Sequence, residues 1–334
     1  MRSQKRFYGK LTAAAVTLAA VALAAACIGR YGISARDVLA YLFLGAKNDR
    51  LIETVMWSVR IPRILLAAMV GSGLTVAGVA MQAMFGNPLV NTHILGVSSS
   101  AGFGAALGIL LFSHFAYVEI FAMIFGFLGM AMTYFLSRKR GTSETLMLVL
   151  SGVVVGAVFE ALISFIKYIA DPEEKLPAIT YWLMGSMTGT SLEDVIQALL
   201  LIGPAVLVLF LLRWRLNVIS LSEEEAASLG INLKRTRLLV IIATTMIAAA
   251  SVSMCGVISF VGLAVPHLTR MITGNDHREL LPMSILTGAI YMVVIDTTAR
   301  SLTTAEIPLS ILTALIGAPI FMVMLRKTGG AWNA

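Results

Sequence analysis

Charge is scarce in this sequence. Asp, Glu, Lys and Arg make up 13% of its 334 residues, and 58% are hydrophobic. A soluble domain carries about 25% charged residues, and mean hydropathy here is +0.88. A water-soluble fold has nowhere to hide that much apolar surface. Cysteine is scarcer still. Cys27 and Cys255 lie in or beside apolar runs, so neither a disulfide framework nor a metal-ligand spacing is present. There is no G-x-x-x-x-G-K-[ST] phosphate loop, and no Ser/His/Asp or His-Glu-x-x-His set. No cluster of intramembrane carboxylates suggests a proton relay. Gly102-x-Gly104 lacks the strand that a nucleotide fingerprint needs. The sequence shows neither an energy-coupling engine nor a catalytic constellation.

What it has is oil in long runs. They fall near 11–29, 63–85, 93–112, 115–136, 144–169, 193–212, 238–257, 280–299 and 307–325. Runs of this length mean membrane-crossing helices, because backbone groups in lipid must be satisfied within the segment. A shorter uncharged stretch, 258–273, contains Pro266. The first run, "LTAAAVTLAAVALAAACI" behind Arg2, Lys5, Arg6 and Lys10, looks like a secretory signal. Ahead of so many further runs it reads as an uncleaved first span.

The net charge of +7 could suggest nucleic acid. The basic residues lie instead in short loops between apolar runs, where they set orientation. With the N-terminus in the cytoplasm, sixteen of the 25 basic residues fall inside. Loops 137–143 and 213–237 and the pair Arg326–Lys327 are then cytoplasmic. The acid-rich loop 170–192 is outside. This choice makes 258–273 return through the membrane, giving ten spans with both termini cytoplasmic. Residues 30–63 resist the rule: they fall outside yet carry Arg30, Arg36, Lys47, Arg50, Arg60 and Arg63.

A weak repeat runs through the chain. The segments beginning at Arg63 and Arg237 align without gaps at an offset of 174, matching Leu89 to Leu263 and His93 to His267. The copies enter from opposite sides, the inverted arrangement common in transporters. Gly104 and Gly108, and Gly152 and Gly156, are spaced for close helix packing. The eighteen methionines read as packing.

Several stretches together resemble the iron–siderophore, haem and vitamin B12 permease family of ABC importers. They are "RIPR" (60–63), "GNPLVNTHILGVSSSAGFGAALG" (86–108), "ADPEEKLPAITYWLMGSM" (170–187) and "EEEAASLGINLKRTR" (223–237). The likeness continues in "GVISFVGLAVPHLTR" (256–270), "DHRELLP" (276–282), "DTTAR" (296–300) and "AEIPLSILTALIGAPIF" (305–321). It covers nearly the whole chain. It implies one all-α transmembrane permease domain over 1–334, with the ten-helix fold of a type II ABC importer permease. It also implies a second permease subunit (identical or related), two cytoplasmic ATPases and an extracytoplasmic binding protein. The membrane would be the bacterial inner one. This chain would bind no cofactor or metal and no nucleic acid, with ATP and Mg held by the partner ATPase. The cargo would be a ferric siderophore or similar large iron chelate, with haem or vitamin B12 as the alternative within the family. An ion-coupled secondary transporter is the alternative from another class.

The resemblance also assigns residues. Arginines matching Arg60, Arg63 and Arg300 face outward and meet acidic residues of the binding protein. The other readings are interfacial snorkelling and, for Arg300, a pair with Asp296 at i,i+4. Glu160 departs from the family pattern in a span that lines the path. It could touch a cationic or hydroxyl-rich part of the substrate, or be satisfied by a neighbouring helix or Lys167. His93 and His267 read as structural hydrogen-bonding groups. The charged stretch from Ser220 to Arg237 reads as two short helices. Ser222 and Glu225 form a capping box, Gly230 ends the first helix and Asn232 caps the second. By resemblance Glu223, Glu224, Glu225, Ala226, Ala227, Leu229, Gly230 and Asn232 form the coupling element that fits a groove on the ATPase.

Overall fold

The computed structural model describes residues 2–29, 32–44, 50–112, 115–139, 142–143, 145–220, 225, 229 and 231–328. Helix α1 is Arg2–Cys27 and α2 is Ala35–Leu44. Helix α3, Arg50–Val55, runs through a wide π turn, Met56–Arg60, into α4, Ile61–Phe85. Then come α5 Val97–Leu111, α6 Phe115–Leu136, α7 Thr145–Ile169, α8 Lys175–Leu183, α9 Leu192–Leu211 and α10 Arg213–Ile219. The last four are α11 Leu233–Cys255, α12 Val261–Thr273, α13 His277–Ser301 and α14 Leu309–Thr328. The β-structure among the described residues is one two-residue antiparallel pair, Arg138–Lys139 with Thr142–Ser143.

Seven helical stretches are long and apolar enough to cross a membrane: Gln4–Cys27, Arg50–Phe85, Ala116–Leu136, Leu146–Ile169, Leu192–Leu211, Leu233–Cys255 and His277–Ser301. Helices α5, α12 and α14 occupy the other three predicted spans. The first two are shorter than a crossing requires. At 1.5 Å per residue, the 15 residues of α5 reach about 22 Å and the 13 of α12 about 20 Å, against a hydrocarbon core of about 30 Å.

The centre is α4 with α11. Past their first turns both are largely apolar all round and rich in small residues, Ala and Gly in α4 and Ala, Ser and Thr in α11, the pattern of a helix enclosed by others. Helices α9, α12 and α13 pack on α4, and α9 also packs on α11. One very close approach joins α4 and α13. A Cβ on Gly71 would lie 2.2 Å from the Gly288 carbonyl oxygen, and one on Gly288 would lie 2.3 Å from that of Gly71. Glycine at both positions is what lets the two backbones touch. The Gly104–Gly108 pair does the same for α5 against α6, at Phe121 and Val118. Helices α6, α7 and α9 keep broad apolar faces open, including Val153, Val154 and Phe165 of α7.

Four expectations need correction. Residues 30–63 are not a plain loop. Ser34 caps α2 by accepting from Asp37 N at 3.1 Å, and helix continues unbroken from Arg50. The loop 170–192 holds α8, started by Asp171, whose Oδ1 accepts from Glu173 N and Glu174 N. The span predicted from His93 begins at Val97, after a 3₁₀ turn, Thr92–Leu95, capped by Asn91. The stretch 258–273 is helical only from Val261; a non-helical link, 256–260, precedes it. Gly256 in that link has φ 68, and a Cβ there would meet the Trp182 carbonyl oxygen at 2.3 Å.

The repeat holds for one helix. Its two copies place α4 and α11 against each other. Beyond Cys255 the correspondence ends, because the position matching the start of α5 falls near the end of α12. His93 therefore sits in a 3₁₀ turn and His267 inside a helix.

Candidate functional site

Contacts define two ends of the bundle. At one end the last turn of α1 meets the start of α4 and the end of α13. Here the three predicted docking arginines come together. All three are buried, at 2%, 5% and 7% exposure for Arg60, Arg63 and Arg300. Arg60 Nη1 donates to the Ala26 carbonyl and Arg300 Nη2 to that of Ala25. These bonds place two cations at the carbonyl end of α1, where the helix dipole is negative. Arg63 Nε donates to both Asp296 oxygens at 2.8 and 3.0 Å. Its Nη1 and Nη2 donate to Glu306 at 3.0 and 2.7 Å. Arg300 Nε stands 3.7 Å from Asp296 Oδ2, the i,i+4 pair. Thr188 Oγ1 donates to Glu306 at 2.7 Å. The guanidinium groups thus point into the protein, toward Asp296, Glu306 and two carbonyls, rather than outward. Charge-assisted and bidentate bonds of this kind tie α1, α4, α13 and the loops around Thr188 and Glu306 into one network.

Glu160 lies on the open face of α7. Ser99 Oγ on α5 donates to Glu160 Oε1 at 2.8 Å, so a neighbouring helix does satisfy one carboxylate oxygen. The pair lines a cavity of about 220 Å³ with His93, Ser98 and Lys167 among its walls. Lys167 lines the same cavity. His93 Nε2 donates to the Ile258 carbonyl at 3.0 Å.

At the opposite end the turn between α12 and α13 gathers several helices. Lys10 of α1 donates to the Ile272 carbonyl, and Arg270 of α12 to Gln82 Oε1 of α4. Asp276 caps α13, accepting from Arg278 N at 2.9 Å and from the Arg278 guanidinium at 2.8 Å. Hydrogen bonds from Arg278 hold the Asp276 carboxyl well below the usual carboxylate range. Asn217 of α10 reaches the same cap. Because α1 runs from this end to the arginine network and α14 runs back from that side, both terminal helices have their free ends here. Leu309 N and Ser310 N bond to Gly185 and Met184 carbonyls, which fixes where α14 begins.

The charged segment follows α10 in the chain. Glu223, Glu224, Ala226, Ala227 and Gly230, with the expected N-cap Ser222, lie outside the described residues. Glu225 and Leu229 are exposed. Asn232 caps α11, its Oδ1 accepting from Arg235 N at 3.0 Å.

Ser99, Asn217 and Glu306 were missed in the sequence. Ser99 carried a signal, a triple serine at the head of an apolar helix. Glu306 is a lone acid between "TT" and "IP". Nothing in the sequence marked Asn217.

Seven membrane-length helices with apolar faces left open, and three shorter apolar helices packed among them, make this a multi-pass membrane protein. The chain belongs to the FecCD transport family, which it matches over residues 17–327. It is an ABC importer permease, and that membership sets aside ion-coupled secondary transport. It is 43% identical over 305 residues to the molybdate import system permease protein MolB of Haemophilus influenzae, covering 90% of each chain. It is 38% identical over 289 residues to a Helicobacter pylori protein named "probable iron chelatin transport system permease", covering 86% of this chain and 87% of that one. A solved inward-facing structure, assigned to a metal-chelate type ABC transporter, superposes with a TM-score of 0.88 at 41% identity. It covers 96% of this chain and 99% of that one. Other relatives are named for cobalamin and hemin. Family membership implies pairing with another permease and with ATPase subunits.

Proposed function

We propose that this chain carries a ferric siderophore or similar large iron chelate across the bacterial inner membrane by alternating access. It forms one transmembrane domain with both termini in the cytoplasm. It does not hydrolyse ATP; ATP and Mg are held by the two partner ATPases. Their movement enters through Glu223, Glu224, Glu225, Ala226, Ala227, Leu229, Gly230 and Asn232. The extracytoplasmic binding protein docks at the end braced by Arg60, Arg63 and Arg300. Acidic residues of that protein would compete with Asp296 and Glu306 for the same guanidinium groups, which gives docking a means of loosening the network.

The observation that supports a chelate is the Glu160 recess. It places a carboxylate, serine hydroxyls and a lysine on an otherwise apolar helix face, groups suited to the amide and hydroxyl periphery of a chelator. A second reading is import of molybdate, favoured by the 43% identity to MolB. A negative side chain in the path opposes a small doubly charged oxyanion. Haem or vitamin B12 are the remaining alternatives within the family.

The test is uptake by proteoliposomes holding the full complex, offered a ferric siderophore, molybdate, haem or vitamin B12 in turn. The proposal expects vanadate-sensitive, ATP-dependent accumulation of the siderophore. It also expects Glu160→Gln to slow that uptake at least threefold. Accumulation of molybdate alone would replace the first reading with the second. Unchanged uptake by Glu160→Gln for every cargo would remove Glu160 from the path.

A further inference from the structure

The side chain of Asn217 makes three hydrogen bonds, all across to another helix. Its Nδ2 donates to Asp276 Oδ1 at 2.8 Å. Its Oδ1 accepts from His277 N at 2.9 Å and from His277 Nδ1 at 2.6 Å. One amide therefore grips both the capping carboxylate and the first backbone N–H of α13. An amide is suited to this because it presents a donor and an acceptor side by side. Aspartate would set two carboxylates against each other, and alanine would leave the His277 N–H bare.

The place of this grip matters more than its strength. Asn217 stands on α10, whose inner face, Leu216, Val218 and Ile219, is fully buried. Three residues on, the chain enters the 220–237 segment. Helix α13, held at its first residue by Asn217, runs 25 residues without a break, about 37 Å. It ends at Asp296 and Arg300, inside the arginine network. Between the two ends it is locked to α4 by the Gly71–Gly288 approach.

We propose that Asn217 is the positioning residue through which movement of the 220–237 segment is passed to α13, and along α13 to the arginine network at the far end. This rests on the reading of 220–237 as the ATPase-facing element. With the amide in place, α10 and the head of α13 move as one body. Without it, α10 can shift while α13 stays.

The experiment uses the complete complex in proteoliposomes and measures ATP hydrolysis and uptake together. Asn217→Ala should keep hydrolysis within twofold of wild type and lower uptake per ATP at least fivefold. Asn217→Asp should do the same. The exchange Asn217→Asp with Asp276→Asn restores a donor facing an acceptor at the cap, and should recover at least half of the wild-type ratio. A purely structural residue would lose hydrolysis, uptake and yield together, without recovery by exchange. If Asn217→Ala lowers the yield of complex, the Asp variant and the exchange carry the test. A wild-type ratio in Asn217→Ala, or an exchange no better than Asn217→Asp alone, overturns the proposal. Ala227→Trp is measured in parallel. If it uncouples uptake while Asn217→Ala does not, only the role of Asn217 falls. If Ala227→Trp leaves uptake intact, the reading of 220–237 falls, and the relay from it falls too.

Discussion

Replacing Arg63 by Met tests the arginine network directly. The change keeps an unbranched, flexible side chain but removes the guanidinium and its charge. Asp296, 1% exposed, then loses two bonds at 2.8 and 3.0 Å and faces Arg300 Nε at 3.7 Å. Removing one partner of a buried ion pair costs about 3–5 kcal/mol, because the remaining charge stays desolvated. Glu306 is a different case. Its side chain is a quarter exposed, so losing its charge should cost about 1 kcal/mol. For a chain of this size each kcal/mol moves the thermal midpoint by roughly 2 °C. Arg63→Met should therefore lower the midpoint by roughly 6–10 °C and Glu306→Gln by roughly 2 °C. Thermal unfolding in detergent, followed by tryptophan fluorescence, reads both. Adding Asp296→Leu to Arg63→Met removes the stranded carboxylate and should recover part of the loss, since apolar replacement of a buried pair is often neutral. The reasoning is refuted if Arg63→Met shifts the midpoint no more than Glu306→Gln does.

Other expectations follow from single contacts. Gly71→Ala and Gly288→Ala each force a methyl into a facing backbone and should cost about 1–3 kcal/mol or more, read as lost yield of folded protein. Gly9→Ala, with nothing within 4 Å of the added carbon, should leave yield unchanged. The Asp276 carboxyl is held below its ordinary value, so its contribution to stability is fully present above about pH 4 and is lost as pH falls further. The midpoint difference between wild type and Asp276→Asn should then be flat from pH 8 to pH 5 and shrink only in stronger acid. A difference that shrinks near neutrality would contradict the Arg278 contact as its cause.

The spans were legible because lipid imposes one rule on every residue in it: a run of apolar side chains long enough to cross must be helical. The short helices were harder. Helix α12 is only 13 residues long, and its missing length is backbone that other elements satisfy, which hydropathy does not register. The small side chains at Gly71 and Gly288 could be seen, but not which glycine meets which. The arginines show the limit most clearly. "RIPR" and "DTTAR" marked the three arginines, yet the partners of Arg63, Asp296 and Glu306, lie more than two hundred positions away. Direction of a side chain depends on such distant partners, so an outward-facing reading was natural from the sequence. Asn217 was invisible for the same reason, since its meaning lies in Asp276 and His277. Ser99 and Glu160 sit 61 positions apart and meet only after α5 and α7 have packed.

The bond from His93 to the Ile258 carbonyl joins two places where helical regularity fails. One break is the turn between α4 and α5, and the other is the link between α11 and α12. A carbonyl left bare in a medium without water costs several kcal/mol, so each break needs a donor from elsewhere, and the imidazole of the first serves the second. The two irregular segments are stitched together. Neither can swing alone without exposing a polar group to hydrocarbon. Any rearrangement there must turn both at once, as a single knuckle, with His93 as its pin.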